Sequence, residues 1–317
     1  MNKIIKRIYR IKGVASCSSW TVALKTEILS YLIFDVAKRA KYIQKVKLSF
    51  LRNQYKDLIA KYVKEDSYSS HTITDGKPKI WVMWWQGYDQ MPSIVKSCIK
   101  SIKEHNKTGW DVVLITKYNY KKYTTIPQHI LDKVNNGIIT FTHFSDIIRM
   151  TLLADHGGLW MDSTIFLTRD VTNEMISCPF FSLKSEESPL YVSRCKWTSF
   201  LMGGVNLKLF PFMKDLFFRH WQMYDSFIDY YTIDYGIRLL YDSDVNVRLM
   251  IDRGSMNANH LYWLQNHLGD VYEESKFNKL SESNTFNKLT WKVPYPHNIN
   301  GRITYFGMII DQSITNE

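Results

Sequence analysis

A chain of 317 residues, 45% hydrophobic and 15% aromatic, is long enough for one large domain or two modest ones and too apolar to be disordered. Its net charge of +11 sits at one end: residues 1–79 hold 17 Lys and Arg against six Asp and Glu, while residues 80–317 hold 24 of each. No run of about 18 uncharged apolar residues exists, which excludes a spanning helix, and Cys17, Cys98, Cys178 and Cys195 lack zinc-site spacing and read as reduced thiols of a cytosolic protein.

The basic segment 1–78 reads as helices, with Ile28, Leu29, Leu32, Ile33 and Val36 interleaved among lysines. No apolar stretch with a small-residue cleavage site follows its first residues, so export by a signal peptide is not expected. Clustered cations suit nucleic-acid phosphate, an anionic lipid surface at about 1 kcal/mol per basic residue, or simply water. No nucleic-acid motif accompanies them. The reading taken forward is attachment to an anionic membrane through residues 1–78, with no nucleic acid bound.

The polar stretch from Asp66 to Lys79 reads as a linker, dividing a 1–78 helical extension from a 79–317 domain. Lys79-Ile-Trp-Val-Met-Trp-Trp85 is an apolar strand; period two puts Trp81 and Trp85 on one face and Trp84 on the other. Pro92 opens a helix with Ile94, Val95, Cys98, Ile99 and Ile102 on one face, and Trp110–Thr116 is a second buried strand. Strand, helix, strand make a βαβ unit, hence an α/β fold with a mostly parallel sheet. Pro127–Asn136 reads as a short helix, Ile138–Phe141 as a strand, and Pro211–Phe227 and Asp234–Asp252 as amphipathic helices.

Between these lies the most telling run, residues 145–164. Ser145 is a candidate N-cap, and Ile147, Ile148, Met150, Leu152 and Leu153 give an apolar face. Gly157-Gly158 stops the helix, and Leu159-Trp-Met161 leads to Asp162. Asp146 and Arg149, three apart, project from one side of the first turn. Open α/β sheets bind ligands beyond the carboxyl ends of their strands, where Gln86, Thr116 and Asp162 fall. Two carboxylates and a guanidinium around one cleft suit a ligand with hydroxyls and phosphates. Taken singly, Asp146–Arg149 also reads as a surface ion pair and Asp162 as a turn former.

Residues 145–168 resemble the capsular-polysaccharide-synthesis group of glycosyltransferases. More distantly they resemble retaining sugar transferases with a DxxR … GG-x-Y/W-x-D-x-D signature, glucosylating toxins among them. The likeness extends from about Lys79 to about Lys292. It implies a GT-A fold, a Rossmann-like sandwich that binds a nucleotide sugar such as a UDP-sugar, and retention of the anomeric configuration. It assigns Asp146 and Arg149 to the sugar and its adjoining phosphate. Asp162 becomes catalytic and a ligand to Mn²⁺ or Mg²⁺. The donor is held by Trp85, which stacks the base, with Gln86, Gly87, Ser163 and Thr164; by Gly203 and Gly204 of Phe200-Leu-Met-Gly-Gly204; and by Lys288 and Lys292 of Lys-Leu-Thr-Trp-Lys. One departure stands out: the metal motif ends in a second Asp, and this chain has Thr164, so a water or phosphate oxygen would complete the metal's shell, or the activity is metal-independent. On the acceptor side, Asp229, Tyr230 and Asp234 read as an acid-and-aromatic cluster of the sort that grips sugars, or as a helix-start cap followed by core aromatics.

The expectation is a cytoplasmic glycosyltransferase, peripheral at the inner face of the cell membrane. It would add one sugar to a lipid-linked or saccharide acceptor in surface polysaccharide synthesis. Two other readings stay open: a sugar-phosphate hydrolase or phosphotransferase using Asp146 and Asp162 as acid and base, and a non-catalytic basic adaptor.

Overall fold

The computed structural model describes residues 3–64, 78–205 and 208–314, so most of the expected linker lies outside the described residues. The basic segment forms four helices, α1 (Lys3–Ser16), α2 (Trp20–Leu32), α3 (Val36–Gln54) and α4 (Lys56–Lys64). Ser19 caps α2 and Asp35 caps α3, each accepting a backbone N–H three residues on. α3 and α4 do not stand apart from the rest. Leu51, Tyr55, Leu58, Ile59 and Tyr62 share one apolar core with Phe212, Leu216 and Leu240 from the C-terminal half.

The sheet begins with β1 (Lys79–Met83), α5 (Ser93–Glu104) and β2 (Asp111–Ile115), the expected βαβ unit, with β1 and β2 parallel. α6 (Gln128–Asn135) and α7 (Phe141–His156) follow, then β3 (Gly158–Met161), β4 (Ile165–Leu167), β5 (Phe181–Lys184) and β6 (Leu201–Gly204). α8 (Leu209–Met223), α9 (Thr232–Ser243), α10 (Val245–Gly254), β7 (Ser255–Asn257), β8 (Phe286–Lys288) and α11 (Tyr305–Ile314) complete the elements used here. Six strands lie in the order β2-β1-β3-β6-β5-β7, all in one direction except β6. β4 and β8 form a separate antiparallel pair. This is the Rossmann-like α/β sandwich expected. Trp81, Trp160 and Met202 face the α7–α8 side, while Ile80, Val82, Leu159, Met161 and Leu201 face the α5–α11 side.

Local details depart from the sequence reading for identifiable reasons. Ile138–Phe141 is not a strand, and Ser145 is not a cap. Thr140 caps α7 by accepting from the His143 N–H, so the helix starts five residues earlier and Ser145 donates to the Thr142 carbonyl within it. Asp146 therefore belongs to its second turn and Arg149 to its third. The expected helix over 234–252 is two helices, because Asp244 stops one and caps the next through the Asn246 and Val247 amides. β2 is only half covered, being an edge strand.

Candidate active site

Parallel β1 and β3 pair Trp81 with Trp160, so the residues after both strands emerge at one edge of the sheet. β6 runs the other way and enters at that edge, where the Asp162 amide donates to the Phe200 carbonyl at 2.8 Å. The β4–β8 pairing sets Lys288 opposite Ile165. These segments, with the first three turns of α7 and the start of α9, line a cleft of about 760 Å³.

Charges alternate along its floor. Arg149 is 6% exposed, which rules out the surface ion-pair reading. Its Nη1 donates to the Ser199 carbonyl at 2.6 Å, and its Nη2 lies 3.2 Å from Asp162 Oδ1 and 3.6 Å from Asp146 Oδ1. The guanidinium also sits 4.6 Å above the Trp160 ring centre. Asp162 Oδ1 accepts from the Trp160 indole N–H at 2.9 Å, and Oδ2 accepts from Lys288 Nζ at 2.9 Å. Lys288 donates as well to Thr164 Oγ1 at 2.7 Å.

This lattice splits the carboxylates. Burial pushes the Asp146 carboxyl up to about 7; Arg149 opposes the rise, and Asp162 and Asp234 add to it. Asp162 feels the same burial, but Lys288 first and Arg149 second outweigh it and hold it below the usual carboxylate range. Burial lifts Asp234 to about 6 against the Trp197 indole N–H, which donates to its Oδ1 at 2.8 Å, and against Arg149. Asp162 is thus held ionised, while Asp146 and Asp234 exchange their protons near pH 7 and pH 6.

Aromatic walls frame the charges. Trp85 packs against Tyr120, Phe141 and Phe144 at centroid distances of 5.2 to 5.7 Å, and Trp84 meets Trp291 edge-on at 5.7 Å. Buried Trp84 Nε1, Arg149 Nε and Gln265 Oε1, all on cleft-lining residues, have no hydrogen-bond partner within the protein. A polar ligand in the cleft could satisfy them.

The structure brings together Trp85, Gln86, Asp146, Arg149, Asp162, Ser163, Thr164, Tyr230, Asp234, Lys288 and Lys292. Four expected site residues are not among those lining the cleft. Gly87 makes the turn after β1 with φ of 95°. Gly203 and Gly204 lie within β6, where small size serves strand packing: a Cβ on Gly203 would fall 2.2 Å from the Gly158 carbonyl, and one on Gly204 2.2 Å from the Pro179 carbonyl. Asp229 pairs with Lys47 of α3 and accepts from the Tyr231 amide. Trp160, Ser199, Tyr262, Gln265 and Trp291 join the lining without having been singled out. Trp160 carried a usable signal, standing two residues before Asp162 on the same strand face. Tyr262 and Gln265 carried none.

The metal expected from the resemblance finds a poor donor set. A hard dication needs several oxygen donors with negative charge. Both Asp162 oxygens and the Thr164 hydroxyl are already engaged by cationic or N–H donors. Among the described residues no group of three or more His, Cys, Asp or Glu is arranged to hold a metal ion. These residues do not fit Mn²⁺ or Mg²⁺.

Comparison with known proteins places this architecture. The chain is 25% identical over 172 residues to the O-glycosyltransferase PaGT of Phomopsis amygdali, an overlap covering 49% of this chain and 42% of that one. It is 28% identical over 109 residues to the O-glycosyltransferase braB of Annulohypoxylon truncatum, covering 32% and 26%. The chain thus spans less than half the length of these curated relatives. A family model described as capsular polysaccharide synthesis protein matches residues 30–309, taking in α3, α4, the whole sheet and the β4–β8 pair that carries Lys288. The chain belongs to the capsular polysaccharide synthesis protein family.

Proposed function

We propose that this protein is a glycosyltransferase that moves one sugar from a nucleotide-sugar donor to a lipid-linked or saccharide acceptor in surface polysaccharide synthesis, with retention at the anomeric carbon. The observation that carries the reading is the alternation Asp146–Arg149–Asp162–Lys288 inside one cleft. Carboxylates accept from sugar hydroxyls, and fixed cations stabilise the charge that gathers on a departing diphosphate. Trp84 and Trp85 offer faces and edges for the base at the mouth of the first strand, worth roughly 1–3 kcal/mol if one ring stacks. Tyr230 and Asp234, on the wall formed by the start of α9, would orient the acceptor hydroxyl.

The test is incubation with a panel of nucleotide sugars and saccharide or lipid-linked acceptors. Nucleoside diphosphate released together with a glycosylated product is the expected result. Inorganic phosphate released from sugar phosphates would move the assignment to a hydrolase or phosphotransferase. Inertness to every donor would leave an adaptor.

The same reading places the protein at the inner face of the cell membrane. Its support is a stripe on α2: Trp20, Leu24, Ile28 and Tyr31, spaced four, four and three apart, are exposed, and Phe34 just beyond is 90% exposed. Lys25 on α2 and Lys38, Lys41 and Lys45 on α3 are exposed as well. Exposed apolar side chains together with exposed cations suit an anionic bilayer. Because α3 and α4 help build the core, the test uses substitutions in the full chain and not truncation. Wild type should sediment with phosphatidylglycerol vesicles, and a Trp20→Ser, Leu24→Ser, Phe34→Ser triple variant should bind at least about tenfold more weakly. Equal binding by the two would remove the membrane from the proposal.

A further inference from the structure

The poor fit to a dication raises a question: what balances the charge of a diphosphate leaving group here? We infer that the Lys288 ammonium, clamped by Asp162 and Thr164, takes the place of a divalent cation, so that donor binding and transfer need no metal. This rests on the glycosyltransferase reading above and adds to it the identity of the electrophilic group.

Four observations support it. Lys288 Nζ bridges Asp162 Oδ2 at 2.9 Å and Thr164 Oγ1 at 2.7 Å, the acid and the hydroxyl that stand two apart after β3. Its backbone is pinned on three sides: its amide donates to the Leu261 carbonyl at 2.8 Å, the next amide donates to the Thr164 carbonyl at 2.9 Å, and its β8 strand pairs with β4. Its side chain is 19% exposed and lines the cleft. An ammonium has three N–H donors; two are held by Asp162 and Thr164, which leaves one for a phosphate oxygen. Finally, an acid at position 164 would add negative charge where a hydroxyl now adds none. Thr164 thus suits a site that carries its own cation, and a second carboxylate would suit one that recruits a cation from solution.

The transfer step balances without a further reactant. The acceptor oxygen forms a bond to the anomeric carbon as the bond from that carbon to the diphosphate oxygen breaks. The electron pair of the broken bond stays on the diphosphate, next to the Lys288 and Arg149 charges. The acceptor proton passes to a phosphate oxygen of the departing group, and Lys288 remains an ammonium throughout.

Titration calorimetry of the full chain with UDP and with GDP, in EDTA and in millimolar MnCl₂, tests the assignment. One of the two nucleotides should bind in EDTA with an affinity within about threefold of that in Mn²⁺. Paramagnetic resonance should show no stoichiometric Mn²⁺ site. Lys288→Met should weaken nucleotide binding at least about 30-fold, and Mn²⁺ should not restore it. Should that variant fail to fold, Thr164→Asp serves: its new carboxylate should weaken binding in EDTA at least tenfold, with recovery on adding Mn²⁺. Binding that appears only with Mn²⁺ overturns the role of Lys288 and leaves the glycosyltransferase reading standing. Wild-type affinity in Lys288→Met, or in Thr164→Asp under EDTA, overturns it too. No binding of either nucleotide under any condition overturns both.

Discussion

Lys47 and Asp229 form an ion pair although 182 residues separate them in the chain. The contact ties α3 to the loop that leads into α9, and it turns an acid that looked like a sugar ligand into an anchor. The Lys47 side chain is 11% exposed and that of Asp229 21%, so removing the lysine leaves a half-buried carboxylate without its partner. Lys47→Met should cost about 2–3 kcal/mol, somewhat below the cost of breaking a fully buried pair. Denaturant unfolding of the two proteins would measure it; a difference under about 0.5 kcal/mol would show the pair to be decorative.

Asp162 accepts from three donors at once. Asp162→Asn keeps the shape but loses the charge that holds Arg149 and Lys288 in place. Turnover should fall at least about 100-fold, with the circular dichroism spectrum unchanged. Rates within tenfold of wild type would take this residue out of the centre of the proposed chemistry.

Stability should fall as pH rises through neutrality. A carboxyl whose folded value lies above the ordinary 3.8 keeps its proton in the fold after the unfolded chain has released it. The contribution is fully present below about pH 4 and is lost as pH passes about 6 for Asp234 and about 7 for Asp146. Asp162, held low, acts in the opposite sense, losing its contribution only as pH falls below the usual carboxylate range. His220, which burial lowers to about 4, and His143, lowered too, add stability as pH rises to about 6.5, so the fall is read between pH 7 and 8.5, where Asp146 leads and the melting temperature should drop by a degree or two. Asp146→Asn should flatten the curve; an unchanged slope in that variant would contradict the assignment.

Two glycines should respond in opposite ways. Gly203→Ala sets a Cβ 2.2 Å from the Gly158 carbonyl and 2.7 Å from the Leu159 Cα, both backbone atoms of a paired strand that cannot yield. A loss of roughly 3 kcal/mol or more is expected. Gly13, inside α1, has nothing within 4 Å of an added Cβ. There alanine should raise stability by about 0.5–1 kcal/mol through its helix preference. Thermal melts of both variants check the pair.

What could be read from the sequence followed periodicity. Trp81, Trp84 and Trp85 sort to opposite faces as period two requires, and the glycine break before Leu159 delivers Asp162 to the sheet edge beside Arg149. The start of α7 was misjudged because Thr140, Thr142 and Ser145 are all competent caps and only tertiary packing chooses among them. The pairing of Asp229 with Lys47 is not legible locally, because its partner lies far away in sequence and no local pattern announces such a pair. Gly203 and Gly204 look like a ligand loop because a glycine required by a neighbouring strand and one required by a ligand are identical on paper.

The reversed direction of β6 has a consequence for how such a protein can diversify. Strands running the common way present their exits to the cleft; β6 presents its entrance, through Ser199 and Phe200. The irregular stretch from 185 to 198, whose Pro189 and Leu190 carbonyls accept from Gln44 of α3, therefore feeds the site from upstream. Insertions or exchanges there would recontour the approach to the reaction centre while the glycine-paired far end of the strand keeps its registration, so novelty at the mouth need not disturb the scaffold.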